Sequence, residues 1–249
     1  MLLLAHISDL HLDGTERSTE RATRVMAYLR GLPRPPDALL VTGDIADHGA
    51  PGEYEEAARI LEAPFPVLPC PGNHDRRAAY RKALLGEAEA AGPVNRAHLV
   101  AGTAVLMCDS TIPEEDDGLL NEETLRWVSS TLDGLAPGTP ALVAFHHPPV
   151  ALHHPLPDGY RLGGPGPLEE LLAAHPEVIA VLTGHAHTPA ATTFAGRPLI
   201  AAPGVTWTLR MPWEGAQDGS VADRSAPPGV AFHVLDDERR LTTHYRVVL

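Results

Sequence analysis

FPVLPCPGNHD, residues 65–75, runs from an apolar stretch through two prolines and a glycine into three consecutive polar side chains, Asn73, His74 and Asp75. A short apolar run bounded by turn residues reads as a buried strand that delivers its last residues into a turn. The triplet is then one of two things. It is a turn leading into the helix expected over 76–86, with Asp75 as its N-cap, or it is a set of reagents held where a buried strand meets water.

The same pattern recurs along the chain. Apolar runs at 2–8, 37–44, 104–110, 141–149 and 178–187 read as strands, and apolar residues at helical spacing predict helices over 17–32, 52–63, 76–86, 121–134 and 167–175. Residues 191–204 read as strands and 229–249 as a hairpin. Strands alternating with helices predict an α/β fold with a largely buried sheet. The 249 residues suit a single domain, 1–249, with no second boundary. Two Gly- and Pro-rich stretches, 150–166 and 205–230, read as long loops, and loops of that length in a compact domain tend to be functional or disordered.

Five of the apolar runs end in chemistry. The first leads to Asp9 and His11, the second to Asp44, the third to Asn73, His74 and Asp75, the fourth to His146 and His147, and the last to His185 and His187. In open α/β sheets ligands bind beyond the carboxyl ends of the strands. Imidazole and carboxylate without thiolate suit zinc, manganese or iron, and exclude a structural cysteine–zinc site. Asp9, His11, Asp44, Asn73, His146, His185 and His187 are too many donors for one tetrahedral ion, and two ions about 3.5–4 Å apart would use them all. In DLH (9–11) and HAH (185–187) the donors are two residues apart, so both face one side of an extended segment. Gly43, Gly72 and Gly184 precede the donor turns, where close backbone approach is needed.

The ordered series DLH (9–11), GD (43–44), GNHD (72–75), HH (146–147) and GHAH (184–187) resembles the calcineurin-like metallophosphoesterases. ISDLHL, GDIADHGAPGEY, HHPP and AGRPLIAAP resemble most the class III bacterial cyclic-nucleotide phosphodiesterases. The resemblance implies a sandwich of two mixed β-sheets flanked by helices (αββα). It implies two divalent or mixed-valence ions, Mn, Fe or Zn: one held by Asp9, His11 and His187, the other by Asn73, His146 and His185, with Asp44 bridging. It further implies hydrolysis of small phosphodiesters, cyclic nucleotides foremost, by a metal-bridging hydroxide, with His74 assisting the leaving group and Asp75 orienting His74. Of the pair His146 and His147, the resemblance favours the first as ligand. A broad phosphomonoesterase, a pyrophosphatase and a non-catalytic interaction scaffold are the alternatives on the same fold, and a homodimer is a further implication.

Composition bounds the partners. A net charge of −13 argues against a nucleic-acid polymer, and makes local cations necessary for an anionic substrate. Cys70 and Cys108 lie in apolar runs and read as small buried residues, which fits a reducing, cytoplasmic setting. The opening MLLLA lacks a basic n-region and a cleavage site, and no apolar run reaches the length of a membrane span. Other histidines read as structural or exposed: His6, alternating within the first strand, as a packed or hydrogen-bonded residue, and His98, His175, His233 and His244 likewise. His48 lies in the loop after Asp44, and His153 and His154 read as solvated loop residues, with the pocket rim as the alternative. EEDD (114–117) reads as a solvated loop. Trp207 and Trp213 read as packing the 205–230 loop down, with stacking on a base or a dimer contact, by them or by Tyr160, as the sharper alternative. That loop is the variable element expected to serve substrate or dimer.

Overall fold

The structure is a computed structural model that describes residues 1–215 and 219–249; part of the variable loop, residues 216–218, lies outside the described residues. The first half of the chain forms β1 (Leu2–Ile7), α1 (Glu16–Arg30), β2 (Ala38–Thr42), α2 (Pro51–Ile60), β3 (Val67–Cys70) and α3 (Arg77–Tyr80), which continues as a π-helical turn, Arg81–Leu85. Then come β4 (Arg96–Val100), β5 (Thr103–Met107), α4 (Glu122–Asp133), β6 (Ala141–Ala144), α5 (Pro155–Gly159), α6 (Gly166–Ala174), β7 (Val178–Thr183), β8 (Ala190–Phe194) and β9 (Arg197–Ala201). A short ribbon, β10 (Thr208–Leu209) and β11 (Ala222–Asp223), precedes the final hairpin of β12 (Gly229–Leu235) and β13 (Leu241–Val247).

One sheet has the order β13-β12-β1-β2-β3 and the other β4-β5-β6-β7-β9-β8. Both are mixed. β1, β2 and β3 run parallel and the β12–β13 hairpin adds antiparallel strands. In the second sheet β5, β6, β7 and β9 run parallel, with β4 and β8 antiparallel at the edges.

Alternation along the strands builds the layers. Leu4, Leu40, Leu68 and Cys70 meet Val105, Met107, Leu142, Ala180 and Leu182 between the sheets. The opposite faces, Ile7, Leu39 and Val41 on one sheet and Leu106, Val143 and Val181 on the other, take α1 with α2 and α4 with α6 respectively. The result is the expected αββα sandwich, in which each fully buried Leu, Val or Ile contributes about 1.5–3 kcal/mol of transfer free energy.

His6 shares the strand face of Leu2 and Leu4 and is fully buried. Its two ring nitrogens contact His233 Nε2 (3.0 Å) and Thr42 Oγ1 (2.8 Å), and His233 Nδ1 contacts Thr243 Oγ1 (2.8 Å). This buried polar chain crosses four strands and is satisfied at every link, as such networks must be.

The structure adds elements that periodicity did not give. β4 is absent from the sequence reading because only alternate positions are apolar or covered, and Leu99 is 72% exposed. Its signal is the two-residue hairpin Ala101–Gly102, both at positive φ (46° and 80°), between Val100 and Thr103. The stretch 150–166 contains α5, and the described part of 205–230 contains the β10–β11 ribbon.

Candidate active site

The strands stop short of the polar residues, which sit in the turns just beyond. Asp9 (φ 55°), His11 (43°), Asp44 (49°), His185 (66°) and His187 (52°) all adopt left-handed backbone. A non-glycine residue there costs about 1–3 kcal/mol and persists only where its surroundings over-determine it. They do so here, because ladder-like hydrogen bonds continue past the strand ends. Asp9 N donates to Gly43 O (3.1 Å), His11 N to Asp44 O (2.9 Å), Thr206 N to Asp9 O (3.1 Å) and Gly204 N to His187 O (3.2 Å). Gly72 completes the packing: a Cβ there would lie 2.3 Å from Asp44 Oδ1 and 2.4 Å from its backbone nitrogen.

These turns converge. Ligand atoms of Asp9, His11 and His187 lie within 4.8 Å of one another, as do those of Asp9, Asp44 and His146 and those of His146, His147 and His185. Asp44 Oδ2 stands between two imidazoles, 3.4 Å from His11 Nε2 and 3.3 Å from His146 Nε2. His187 Nε2 is 3.6 Å from Asp9 Oδ1 and 3.3 Å from His11 Nε2; His185 Nδ1 is 3.2 Å from His146 Nε2. Asn73 lines the same cleft, of about 290 Å3, together with His74, Asp116, Tyr160 and Trp207. All seven donors singled out in the sequence therefore meet.

The donor set fits cations. Both carboxylate oxygens of Asp9 and Oδ1 of Asn73 are buried without a hydrogen-bond partner among the described residues, an arrangement that is costly unless something positive sits between them. Burial raises Asp9. Burial works against ionised Asp44 too, but the imidazoles around it, His146 first, hold it well below the usual carboxylate range. Burial pulls His146 down, and Asp44 and Asp9 outweigh it and raise it to about 9; burial and then His146 lower His185 to about 3.

Outer contacts fix which nitrogen faces inward. His146 Nδ1–H donates to Thr42 O (2.6 Å), leaving Nε2 for Asp44's side. His11 Nδ1 is held by Asp47 Oδ1 (2.7 Å). His185 Nε2–H donates to Pro157 O (3.2 Å) on α5, leaving Nδ1. His154 caps α5 by accepting from Leu156 N (3.3 Å) and anchors it by donating to Arg210 O (3.1 Å), so the loops 150–166 and 205–230 meet over the site. His147 also joins the cluster, but its Nδ1 is engaged with Ser110 Oγ (2.7 Å), and it is His146 that faces Asp44.

Among the described residues His187 has no such bond at Nδ1; a ring packs against it instead. Trp207 stacks on His187 (4.9 Å between centroids, 6° between planes) and on His11 (4.8 Å, 29°), with the Arg224 guanidinium 4.9 Å over the indole. α1 straps this loop down: Arg17 donates to Thr206 O (2.9 Å) and Arg224 O (2.6 Å), and Arg21 to Val205 O (2.8 Å) and Ala226 O (2.7 Å). Trp207 packs, as one of the two sequence readings has it, and also lines the cleft. Trp213 does not pack: it is 73% exposed.

His74 is held by an unexpected partner. Its Nδ1–H donates to the backbone carbonyl of Asp47 (2.7 Å), and its own backbone N–H donates to Asp44 Oδ1 (3.0 Å). Asp75, expected to orient that ring or to cap the next helix, has neither contact. Its buried carboxylate accepts from the backbone N–H groups of Gly72 (2.9 Å), Ile45 (3.2 Å) and Ala46 (3.1 Å), stitching the GNHD turn to the Asp44 turn. Burial, with the Asp44 charge nearby, pushes it up to about 6. The helix begins at Arg77, after Arg76. His48, near the site in sequence, is tied to Glu53 (2.8 Å) and lies outside the cluster.

Strand-end carboxylates and imidazoles, buried and converging around one bridging carboxylate in an αββα sandwich, define a metal-dependent phosphoester hydrolase. The comparisons agree: the model of the calcineurin-like phosphoesterase family matches residues 2–189, and the chain belongs to that family. It is 34% identical over 230 residues to a probable cyclic nucleotide phosphodiesterase of Rhodococcus erythropolis, covering 87% of this chain and 75% of the other. It is 31% identical to the glycerophosphodiester phosphodiesterase GpdQ of Enterobacter lignolyticus, covering 81% and 77%. A dimetal phosphatase from Danio rerio superposes with a TM-score of 0.69 at 16% identity over 100% of this chain and 96% of that one, a likeness of fold.

Proposed function

We propose that this chain is a dinuclear metallophosphodiesterase of small phosphodiesters, cyclic nucleotides among them. The carrying observation is the position of Asp44 Oδ2, between His11 Nε2 and His146 Nε2, beside the unpartnered oxygens of Asp9 and Asn73. Asp9, His11 and His187 would hold one ion, Asn73, His146 and His185 the other, and Asp44 both; nitrogen and oxygen donors suit Mn, Fe or Zn. When bound, the pair supplies charge neutralisation at the phosphoryl oxygens and a water acidified toward neutrality.

The chain's own groups do the rest. The turns hold the donors rigidly before substrate arrives, which is the condition for electrostatic stabilisation without reorganisation. His74, with Nδ1 committed to Asp47 O, presents Nε2 to the cleft, where its protonated form donates to the departing alkoxide. Asp75 acts through the backbone, keeping Asn73, His74 and Asp44 in register. Trp207, Leu209 and Tyr160 wall the cleft from water, which gives the 205–230 loop a substrate-side role. Buried, free Cys70 and Cys108 suit a cytoplasmic protein.

The test is elemental analysis of the purified protein, followed by assay of apo-protein reloaded with each metal against 2′,3′- and 3′,5′-cyclic nucleotides, open diesters and monoesters. About two ions per chain and diester hydrolysis are expected. A metal-replete preparation inert toward every ester would overturn the reading and leave the scaffold alternative.

A further inference from the structure

A second cavity, of about 450 Å3, lined by residues of α3 and the turn 111–114, shares Asn73 with the cleft. Asn73 borders both spaces, whereas His74 borders the cleft alone and Arg76 the second cavity alone. The stretch NHDR is thus the partition between them. Ala78, Ala90, Ile112 and Pro113 give the second cavity apolar walls, and Asp75, Glu89 and Glu114 border it with carboxyl groups.

Two guanidinium groups border this space, and they differ. Arg77 is spent on structure, donating to Asp109 Oδ2 (2.8 Å), Thr111 O (2.8 Å) and Ala91 O (3.1 Å). Among the described residues the Arg76 guanidinium makes no hydrogen bond; its nearest acid, Glu114, is 3.9 Å away with an 80% exposed side chain. Yet the stem of Arg76 is fixed. A Cβ on Gly49 would lie 2.2 Å from Arg76 Cγ, and the Arg76 backbone N–H donates to Tyr54 Oη (2.6 Å). A placed stem whose head makes only a long, exposed ion pair with Glu114 (3.9 Å) at the mouth of the cavity is an arrangement that can recognise an oxygen-bearing group.

We propose that this cavity is the subsite for the retained arm of an open phosphodiester, its apolar body against Ala78 and Ile112 and its hydroxyl, carboxylate or phosphate oxygens on Arg76. The proposal rests on the phosphodiesterase reading, since it needs the phosphorus near Asn73 and the leaving group on the His74 side. A diester then divides across the partition, the departing arm in the cleft and the retained arm beyond Asn73. A cyclic nucleotide carries both ester oxygens on one sugar and leaves the second cavity unused.

The probes are 4-nitrophenyl diesters whose retained arm is methyl, phenyl or carboxyphenyl, each releasing nitrophenolate from the metal-loaded enzyme. Wild type should prefer carboxyphenyl over methyl in kcat/KM. Ala78→Phe, which fills the cavity, should lower the phenyl-to-methyl ratio by about tenfold or more, the scale on which an apolar pocket discriminates. Arg76→Gln should collapse the carboxyphenyl-to-phenyl ratio and spare the phenyl-to-methyl ratio, and being a surface substitution it keeps the test sound if Ala78→Phe folds poorly. Ratios unmoved by both variants, in an enzyme that hydrolyses the esters, overturn the subsite alone. No nitrophenolate from any ester with wild type overturns the phosphodiesterase reading and the subsite with it.

Discussion

Nδ1 of His74 lies 2.7 Å from the carbonyl oxygen of Asp47, and the carboxylate of the same Asp47 lies 2.7 Å from Nδ1 of His11. One residue thus sets the tautomer of the proposed acid through its backbone and of a proposed metal ligand through its side chain. Only the second is removable by mutation.

Asp47→Ala should therefore separate the two roles. Losing a carboxylate behind a ligating imidazole costs about 10–100-fold in metal affinity. Metal titration of apo-protein should show that loss, while kcat at saturating metal stays close to wild type because the carbonyl remains. A fall in kcat that excess metal cannot restore would show that the side chain acts in the chemistry instead.

His74→Ala should do the reverse. General-acid catalysis contributes about 10²–10⁴-fold, so kcat should fall by that order on diesters with alkoxide leaving groups. The loss should be much smaller for nitrophenyl esters, whose leaving group needs no proton. Metal content should be unchanged. Equal losses on both ester types would refute the acid role.

Trp207→Ala removes the ring stacked on His187 and His11. We expect weaker metal retention, on the outer-contact scale of about 10–100-fold, largely rescued by Trp207→Phe. If Trp207→Ala binds metal normally yet raises KM, the indole faces substrate instead.

The chain of His6 and His233 predicts acid sensitivity. Burial lowers His233 to about 3, and burial with the nearby His233 lowers His6 well below its usual value. The unfolded chain binds protons near pH 6.5, so the folded state gains nothing from protonation while the unfolded state does. The contribution is whole above about pH 6.5 and is lost as pH falls, by about 1.4 kcal/mol per pH unit for each histidine held neutral. Urea unfolding between pH 7 and 5 should show the slope. His6→Gln with His233→Gln should be less stable at pH 7 but flatter; an unchanged slope would assign the acid sensitivity elsewhere.

The α/β character could be read from the chain because the central strands are buried on both faces and appear as unbroken apolar runs; their division into two stacked sheets followed only from the resemblance of the motif series. The seven donors were visible because each follows such a run at once. β4 was hidden because an edge strand buries little, and RAHLV shows no run. Asp47, Pro157 and Thr42 were hidden for another reason: three of the four contacts they make use a backbone carbonyl that every residue possesses, and only the Asp47 carboxylate has a side-chain signature. Asp75 misled because adjacency to His74 suggested contact, whereas its side chain turns back to the backbone of Gly72 and the Asp44 turn.

The left-handed turns at Asp9, His11, Asp44, His185 and His187 set robustness against reactivity within single residues. Selection for heat resistance in chelator would be drawn to these codons, with Asp9→Asn foremost, because burial disfavours the Asp9 charge whereas the imidazoles around Asp44 favour its own. Among residues with a side chain asparagine tolerates that backbone well, and it carries no charge to bury. Hardier but inert variants should therefore accumulate at the centre of the molecule rather than on its periphery, a trade inherent in asking strained residues to be ligands.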